Sequence, residues 1–265
     1  RKNMTWLNLE TMELSKSDNI AILTLTRAKS LNAMNRDFFT DIKQIINVLS
    51  KNEHSIKVLI ITGRGAGFSV GADLKNVPID DNHDLGKSLR ENFEPMVMGL
   101  KALPFPIIAA VNGYAAGAGM GLMLACDFTI AAHSANFVQA FVNIALIPDA
   151  GSTYFLPRFI GRARTTQMMM LGENLTADDA YTIGLIYKVV DNDNLMAEAD
   201  ILAKKLAAGP TSAIVQIRGL LDASHDNTLA EQLEEEAVAQ QIAGLSGNFL
   251  EGVSAFLQKR KPNFK

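Results

Sequence analysis

The chain has 265 residues, 48% hydrophobic and 20% charged, with a formal net charge of -3, ordinary values for one large globular domain or a core with a smaller second unit. So balanced a charge argues against a dedicated nucleic-acid binder, and no stretch reaches the roughly 18 uninterrupted apolar residues of a spanning helix, so no membrane partner is expected. Cys126 is the single cysteine, which excludes an intramolecular disulfide and a thiolate metal site and makes a reducing, cytoplasmic setting the expectation; the opening RKNMTWLNLE has no apolar run of the kind a signal peptide carries.

In chain order, NIAILTLTR (19–27) reads as a β-rich apolar strand. NRDFFTDIKQIINVLSK follows with helical periodicity, placing Phe38, Ile42, Ile45, Ile46 and Leu49 on one face. IKVLIITGRG (56–65) is a second buried strand, ended by glycines. FPIIAAVNGYAAGAGMGLMLACDFTIAA then gives strand, glycine-rich turn, short apolar helix and strand, an order that points to α/β layering with parallel pairing. From about Thr165 the pattern turns mostly helical. RTTQMMMLG leads to TADDAYTIGL with Thr176 as its N-cap, and NLMAEADILAKKLAAGP stops at Gly209-Pro210. LAEQLEEEAVAQQIAGL and EGVSAFLQKRKPNF complete the chain. The division is therefore a core over 1–195 and a helical region over 196–265, whose apolar faces call for a neighbouring subunit.

Three segments carry chemistry, each with a plainer reading beside it. GRGAGFSVGADLK (63–75) turns after a strand and can point backbone N–H groups at a ligand, or is a surface turn. VNGYAAGAGMGLML (111–124) places small residues before a helix N-terminus, suited to an oxyanion or phosphate, or to close packing of helix on sheet. It is neither the G-x-G-x-x-G of dinucleotide folds nor a P-loop. NIALIPDAGSTYF (143–155) carries Asp149 into an apolar run. Burial raises a carboxyl's pKa and suits it to moving protons at neutral pH, whereas the plainer reading has Asp149 cap a helix beginning near Ser152. His54, His83, His133 and His225 lack metal-ligand spacing, and G-x-S-x-G is absent. MMM (168–170) reads as core filling and EEE (234–236) as a solvated helix face.

Taken in order, LTRAKSLNAM, FSVGADLK, NGYAAGAGMGL, CDFTIAAHSANF, LIPDAGSTYFLPR and EGVSAFLQKRKPNF resemble the motifs of the crotonase superfamily of acyl-CoA enzymes over nearly the whole chain. The resemblance implies an α/β fold, a ββα spiral core followed by a C-terminal helical trimerisation region, with a homotrimer or homohexamer as the assembly. It implies an acyl-CoA thioester as substrate, with no metal and no cofactor beyond the coenzyme A the substrate carries. The backbone N–H groups of Ala72 and Ala118 would form an oxyanion hole, in which a single donor is worth about 3–4 kcal/mol. For CoA the resemblance points to the backbone of Ser30, Leu31 and Ala33, to Arg27 and Lys29 near the phosphates, and to the main chain at Asp73 and Leu74. Phe256 and Lys259 would reach a neighbour's CoA.

The departures matter as much. Hydratases of this superfamily carry two glutamates, at positions filled here by Gly121 and Phe141, neither of which can move a proton. Asp149 stands where isomerase members carry a catalytic aspartate, and FVQAFVNIALIPD with FLPR resembles those members. The resemblance thus implies an isomerase with Asp149 as sole acid/base, with Phe141, Val142 and Val138 beside the acyl chain. A hydratase of altered mechanism and a non-catalytic acyl-CoA-binding protein are the alternatives.

Overall fold

The computed structural model describes residues 4–53, 55–76 and 84–265; His54 and His83 lie outside them. The chain begins with a meander, β1 (Met4–Asn8), β2 (Met12–Ser17) and β3 (Ile20–Leu25), and continues into α1 (Arg36–Lys51). Then come β4 (Val58–Gly63) and β5 (Gly67–Ser69). Helix α2 (Leu85–Ser88) runs through a π turn, Leu89–Phe93, into α3 (Glu94–Lys101). The next pair of strands is β6 (Ile107–Val111) and β7 (Tyr114–Ala116), followed by α4 (Ala118–Leu124). A third pair, β8 (Phe128–Ala132) and β9 (Asn136–Val138), precedes α5 (Ser152–Leu171). β10 (Asn174–Thr176), α6 (Ala177–Thr182) and β11 (Lys188–Val190) follow. Four helices end the chain: α7 (Leu195–Ala207), α8 (Thr211–Ala223), α9 (Leu229–Gly244) and α10 (Gly247–Leu257).

Among the described residues the strands form two sheets, ordered β1-β2-β3-β4-β6-β8-β11 and β10-β9-β7-β5. The steps β3–β4, β4–β6, β6–β8 and β8–β11 are parallel, as are β5–β7 and β7–β9. Each of the pairs β4/β5, β6/β7 and β8/β9 therefore gives its first strand to the large sheet and its second to the small one, and a helix follows. That is the ββα spiral, and it stacks the turns after β5 and β7 at one end of adjacent strands.

Side-chain alternation explains the layers. On β4, Val58 and Ile60 face one core cluster with Ile108, Ile130 and, from α7, Leu195, Ala199 and Leu202. Leu59 and Ile61 face the other, larger cluster with Phe38, Ile42 and Leu49 of α1, Leu100 of α3 and Met120 of α4. Helix α1 begins where its pattern predicts, with the Asn35 side chain accepting from the Phe38 N–H. Buried Asp41 accepts from the Thr11 N–H and hydroxyl at 2.8 and 2.7 Å, tying α1 to the N-terminal meander. Thr176 caps α6 as expected, accepting from the Asp179 N–H.

Several elements differ from the sequence reading. The small sheet consists of three-residue strands too short to show a period, and the strands of the N-terminal meander before β3 also escaped it. Helix α5 contains a break at Gly161 (φ +74°, ψ 162°), so the helix near Ser152 and the one through Thr165 share one element. Of the three methionines, Met168 is buried and Met170 is 68% exposed. Helix α7 packs within the core, so the layer with few buried residues begins at α8, after the Gly209-Pro210 stop. Across α8, α9 and α10 only Ala255 is buried. No helix of the described residues is long and apolar enough to cross a membrane.

Candidate active site

Helix α4 organises the site. β7 ends at Ala116, and Gly117 (φ +51°, ψ -127°) turns the chain into α4 in a conformation L side chains rarely adopt. Ala118, as the first helical residue, has an N–H with no intrahelical acceptor. In the neighbouring turn of the spiral, Gly71 (φ +83°) lies so close that a Cβ there would sit 2.8 Å from the Ala118 nitrogen and 3.0 Å from the Ala116 oxygen. Ala72 follows it. The Gly71 carbonyl accepts from the Met34 N–H at 2.7 Å, and the Asp73 N–H donates to the Met34 carbonyl at 3.0 Å. This single parallel bridge turns the N–H of Ala72 away from Met34, and among the described residues no backbone carbonyl accepts it. Ala72 is exposed. Two free N–H groups thus come from segments in direct contact.

Two other faces of α4 are tighter still. A Cβ on Gly119 would lie 2.0 Å from the Ser69 oxygen of β5, and one on Gly121 would lie 2.5 Å from the Ala150 Cβ and 2.7 Å from its carbonyl oxygen. Gly117 abuts the Phe141 ring, at 3.4 Å by the same measure. Ala118 and Gly121 are i,i+3 neighbours, about 4.5 Å apart along the helix axis. The chain carrying Asp149 is therefore seated one helical turn from the Ala118 donor.

Asp149 itself is half-buried, and its Oδ1 is shielded from water with no hydrogen-bond partner among the described residues. Burial pushes its carboxyl up to about 6, and an interaction with its own N–H offsets that only in part. The helix-capping alternative fails. The residue's backbone carbonyl accepts from the Ser152 N–H at 2.9 Å, while the N-cap of α5 is Gly151, with no side-chain cap. Beneath it, buried Gln139 donates from Nε2 to the Ser152 hydroxyl at 3.2 Å, a pair that sequence reasoning did not single out.

The remaining candidates fall into three groups. Ser30 ends the 3-10 turn Ala28–Ser30, and Leu31 and Ala33 lie in the loop after it, with Leu31 and Asn32 both left-handed (φ +50° and +57°). Buried Asn32 and Ser69 lock it to β5: Asn32 Nδ2 donates to the Gly67 carbonyl at 2.7 Å and Ser69 Oγ to the Asn32 carbonyl at 2.8 Å. Lys29 is exposed and has no ion-pair partner among the described residues. Arg27, expected near the phosphates, has Nη2 on Asp73 Oδ2 at 2.9 Å and Nη1 on the Ala33 carbonyl. Leu74 opens a 3-10 turn and is 53% exposed. Phe141 is buried against Gly117, whereas Val142 points toward Gly172 at the end of α5. Phe256 and Lys259, at the end of α10, are not joined to this group within the single chain; Phe256 is 82% exposed. Their segment is held by Glu251, which accepts from Arg260 at 2.6 and 2.9 Å and from the Asn263 N–H at 2.7 Å.

A ββα spiral whose adjoining turns carry the N–H groups of Ala72 and Ala118, neither taken by a backbone carbonyl among the described residues, is the crotonase class of fold. The profile of the enoyl-CoA hydratase/isomerase family matches residues 15–265, and the chain belongs to that family, whose members act on acyl-CoA thioesters. It is 42% identical to the 1,2-epoxyphenylacetyl-CoA isomerase of Escherichia coli K12 over 248 residues, covering 92% of this chain and 94% of that one. A Rhodobacter capsulatus protein assigned as an enoyl-CoA hydratase is 37% identical, over 97% and 99% of the two chains. Among solved structures, a Mycobacterium abscessus protein assigned to the enoyl-CoA hydratases/isomerases superposes with a TM-score of 0.91 at 34% identity, covering 96% and 99%. An isomerase and a hydratase thus stand side by side among the relatives.

Proposed function

We propose that this enzyme is an enoyl-CoA isomerase that shifts a 3-enoyl thioester to the 2-enoyl isomer, or opens a ring epoxide, with Asp149 as its one acid/base. The Asp149 carboxylate removes a proton from C2 of the 3-enoyl thioester. The freed electron pair moves toward the carbonyl, giving a dienolate whose oxygen is held by the N–H groups of Ala72 and Ala118. Protonated Asp149 then returns the proton to C4, and the double bond comes to rest between C2 and C3. One carboxyl suffices because the group that takes the proton can give it back. The reaction is redox-neutral and calls for no cofactor beyond the CoA carried by the substrate.

The observation that carries this reading is the state of Asp149, dry on one oxygen and raised to about 6, poised to be ionised yet still basic at neutral pH. The packing of Gly121 on Ala150 supports it, since no second carboxylate fits where the superfamily's hydratases carry one. The bare apolar surfaces of α8–α10, among them Leu221, Leu233, Ile242 and Val253, support a homotrimer, or a pair of trimers, as the working assembly. A monomer in sedimentation at micromolar concentration would remove that part. The setting we assign is cytoplasmic breakdown of fatty or aromatic acids. A panel of unsaturated and ring-epoxide CoA esters, followed by mass spectrometry, tests the reaction. Mass-neutral conversion is expected. An 18-dalton gain would make the protein a hydratase, and tight binding without conversion would make it an acyl-CoA-binding protein.

A further inference from the structure

Ala72 hangs on a bridge one residue wide. Two hydrogen bonds to Met34 fix the peptide planes on either side of it. Beyond Asp73 the chain leaves at once into the 3-10 turn Leu74–Asn76, of which Leu74 and Lys75 are exposed. On the near side the next backbone rung between the two segments is the Val70 N–H on the Leu31 carbonyl at 3.1 Å, and after Asp73 none follows among the described residues. The constraint on that far side comes from side chains. Asp73 Oδ2 meets Arg27 Nη2 at 2.9 Å, and Asp73 Oδ1 takes the Lys75 N–H at 3.3 Å. The second arm of the same guanidinium donates to the carbonyl of Ala33, the residue before Met34. One planar fork therefore spans both strands of the bridge, fixed to a main-chain oxygen on one side and a carboxylate on the other. The pair is sheltered, with 8% of the Asp73 side chain and 23% of the Arg27 side chain exposed, so solvent weakens it little.

We propose that Arg27 and Asp73 are positioning residues that hold the Ala72 N–H in catalytic orientation and couple it to the CoA-side loop, rather than a phosphate ligand and its neighbour. Arg27 ends the run from β3 and opens the Ala28–Ser30 turn, so the seating of that loop and the aim of the Ala72 donor are mechanically one. This rests on the oxyanion role of Ala72 proposed above and not on the choice between isomerase and hydratase. An orienting group for a transition-state donor lowers kcat and kcat/KM together when lost, whereas a ligand for the nucleotide end of CoA raises KM.

The test uses Arg27→Met, Asp73→Asn and the double variant of the full-length protein. Each is assayed on its best enoyl-CoA and on the same acyl group carried by pantetheine, which has no phosphates. Asp73→Asn nearly preserves shape, so a reading survives if Arg27→Met folds poorly by circular dichroism. Each single change is expected to lower kcat by roughly 10- to 100-fold, by the same factor on both thioesters. The double variant is expected to be no worse than the worse single one. Arg27→Lys should fail to restore the rate, because one ammonium cannot replace the fork. A penalty confined to the CoA ester and expressed in KM would make Arg27 a phosphate ligand and overturn the proposal, as would single penalties that multiply in the double variant. Failure of the underlying reading looks different: Gly71→Ala, which displaces the Ala72 segment, would then keep the wild-type kcat, whereas the brace alone fails if Gly71→Ala is crippled and Arg27→Met keeps the wild-type kcat.

Discussion

Replacing Asp149 by Asn should make the protein more stable and nearly inactive, with a pH dependence fixed by its surroundings. Burial lifts this carboxyl from its ordinary 3.8 to about 6. At roughly 1.36 kcal/mol per pH unit, the rise costs the folded chain about 3 kcal/mol once the group is ionised. Because the folded value is the higher one, the fold favours the protonated form. The stabilising contribution is complete below pH 3.8 and is lost as the pH climbs to about 6 and above. Asparagine does not titrate, so Asp149→Asn should exceed the wild type by about 2–3 kcal/mol at pH 8 and by much less near pH 4. For a chain of this length that is a rise in Tm of about 5–10 °C at pH 8. Denaturant unfolding of both proteins at pH 4.5, 6 and 8 measures the difference. The kinetic counterpart is a loss of roughly 10³-fold in kcat with acyl-CoA binding retained. In the wild type kcat/KM should rise through an apparent pKa near 6, since the base must be ionised in the free enzyme. A stability difference that stays flat from pH 4.5 to 8, or a kinetic limb centred near 4, would show a hydrated carboxylate and refute the reasoning.

Two further outcomes follow from the glycine contacts. Gly121→Glu, which restores a hydratase-type carboxylate by residue type, must force its Cβ into Ala150, at 2.5 Å from a side chain and 2.7 Å from a main-chain oxygen. It should cost about 1–3 kcal/mol or more in thermal unfolding and yield no hydrated product by mass spectrometry. Gly71→Ala combines a left-handed backbone, φ +83°, with a Cβ 2.8 Å from the Ala118 nitrogen. By pushing apart the segments that carry the two N–H donors it should lower kcat about 100-fold with a smaller change in KM, measured by steady-state kinetics.

The sequence made some of this legible and misled on the rest. The α1 stripe of Phe38, Ile42, Ile45 and Leu49 and the buried runs of β4 and β6 show themselves because each is long enough to display its period or its unbroken apolar character. β5, β7 and β9 have three residues each, and nothing periodic fits in three residues, so the sheet that aligns the turns leading to Ala72 and Ala118 was invisible. Asp149 is the instructive case. Its apolar neighbours in sequence are themselves open to water, Ile144, Leu146 and Ile147 being 50%, 38% and 73% exposed, while Ala150, the next residue, is pressed onto Gly121 of α4. The Arg27–Asp73 pair was hidden for a similar reason, since the two residues stand 46 positions apart and nothing local to either one marks the contact.

Why the chain carries one carboxylate rather than two then becomes a question about α4. A helix of seven residues cannot hold its own orientation in water, being shorter than the roughly 12–15 residues at which isolated helices become even marginal. Its direction is set from outside, by Ser69 against Gly119, Phe141 against Gly117 and Ala150 against Gly121. The contacts at Gly119 and Gly121 are possible only because a side chain is absent, and Gly117 is needed for its backbone, φ +51°. The glycine at 121, which offers no acid/base group, is the same feature that lets Ala150, the residue after Asp149, close down on the helix. On the proposed mechanism the position that forgoes a second carboxylate also seats the first, so substitutions at 121 and 149 should couple rather than add.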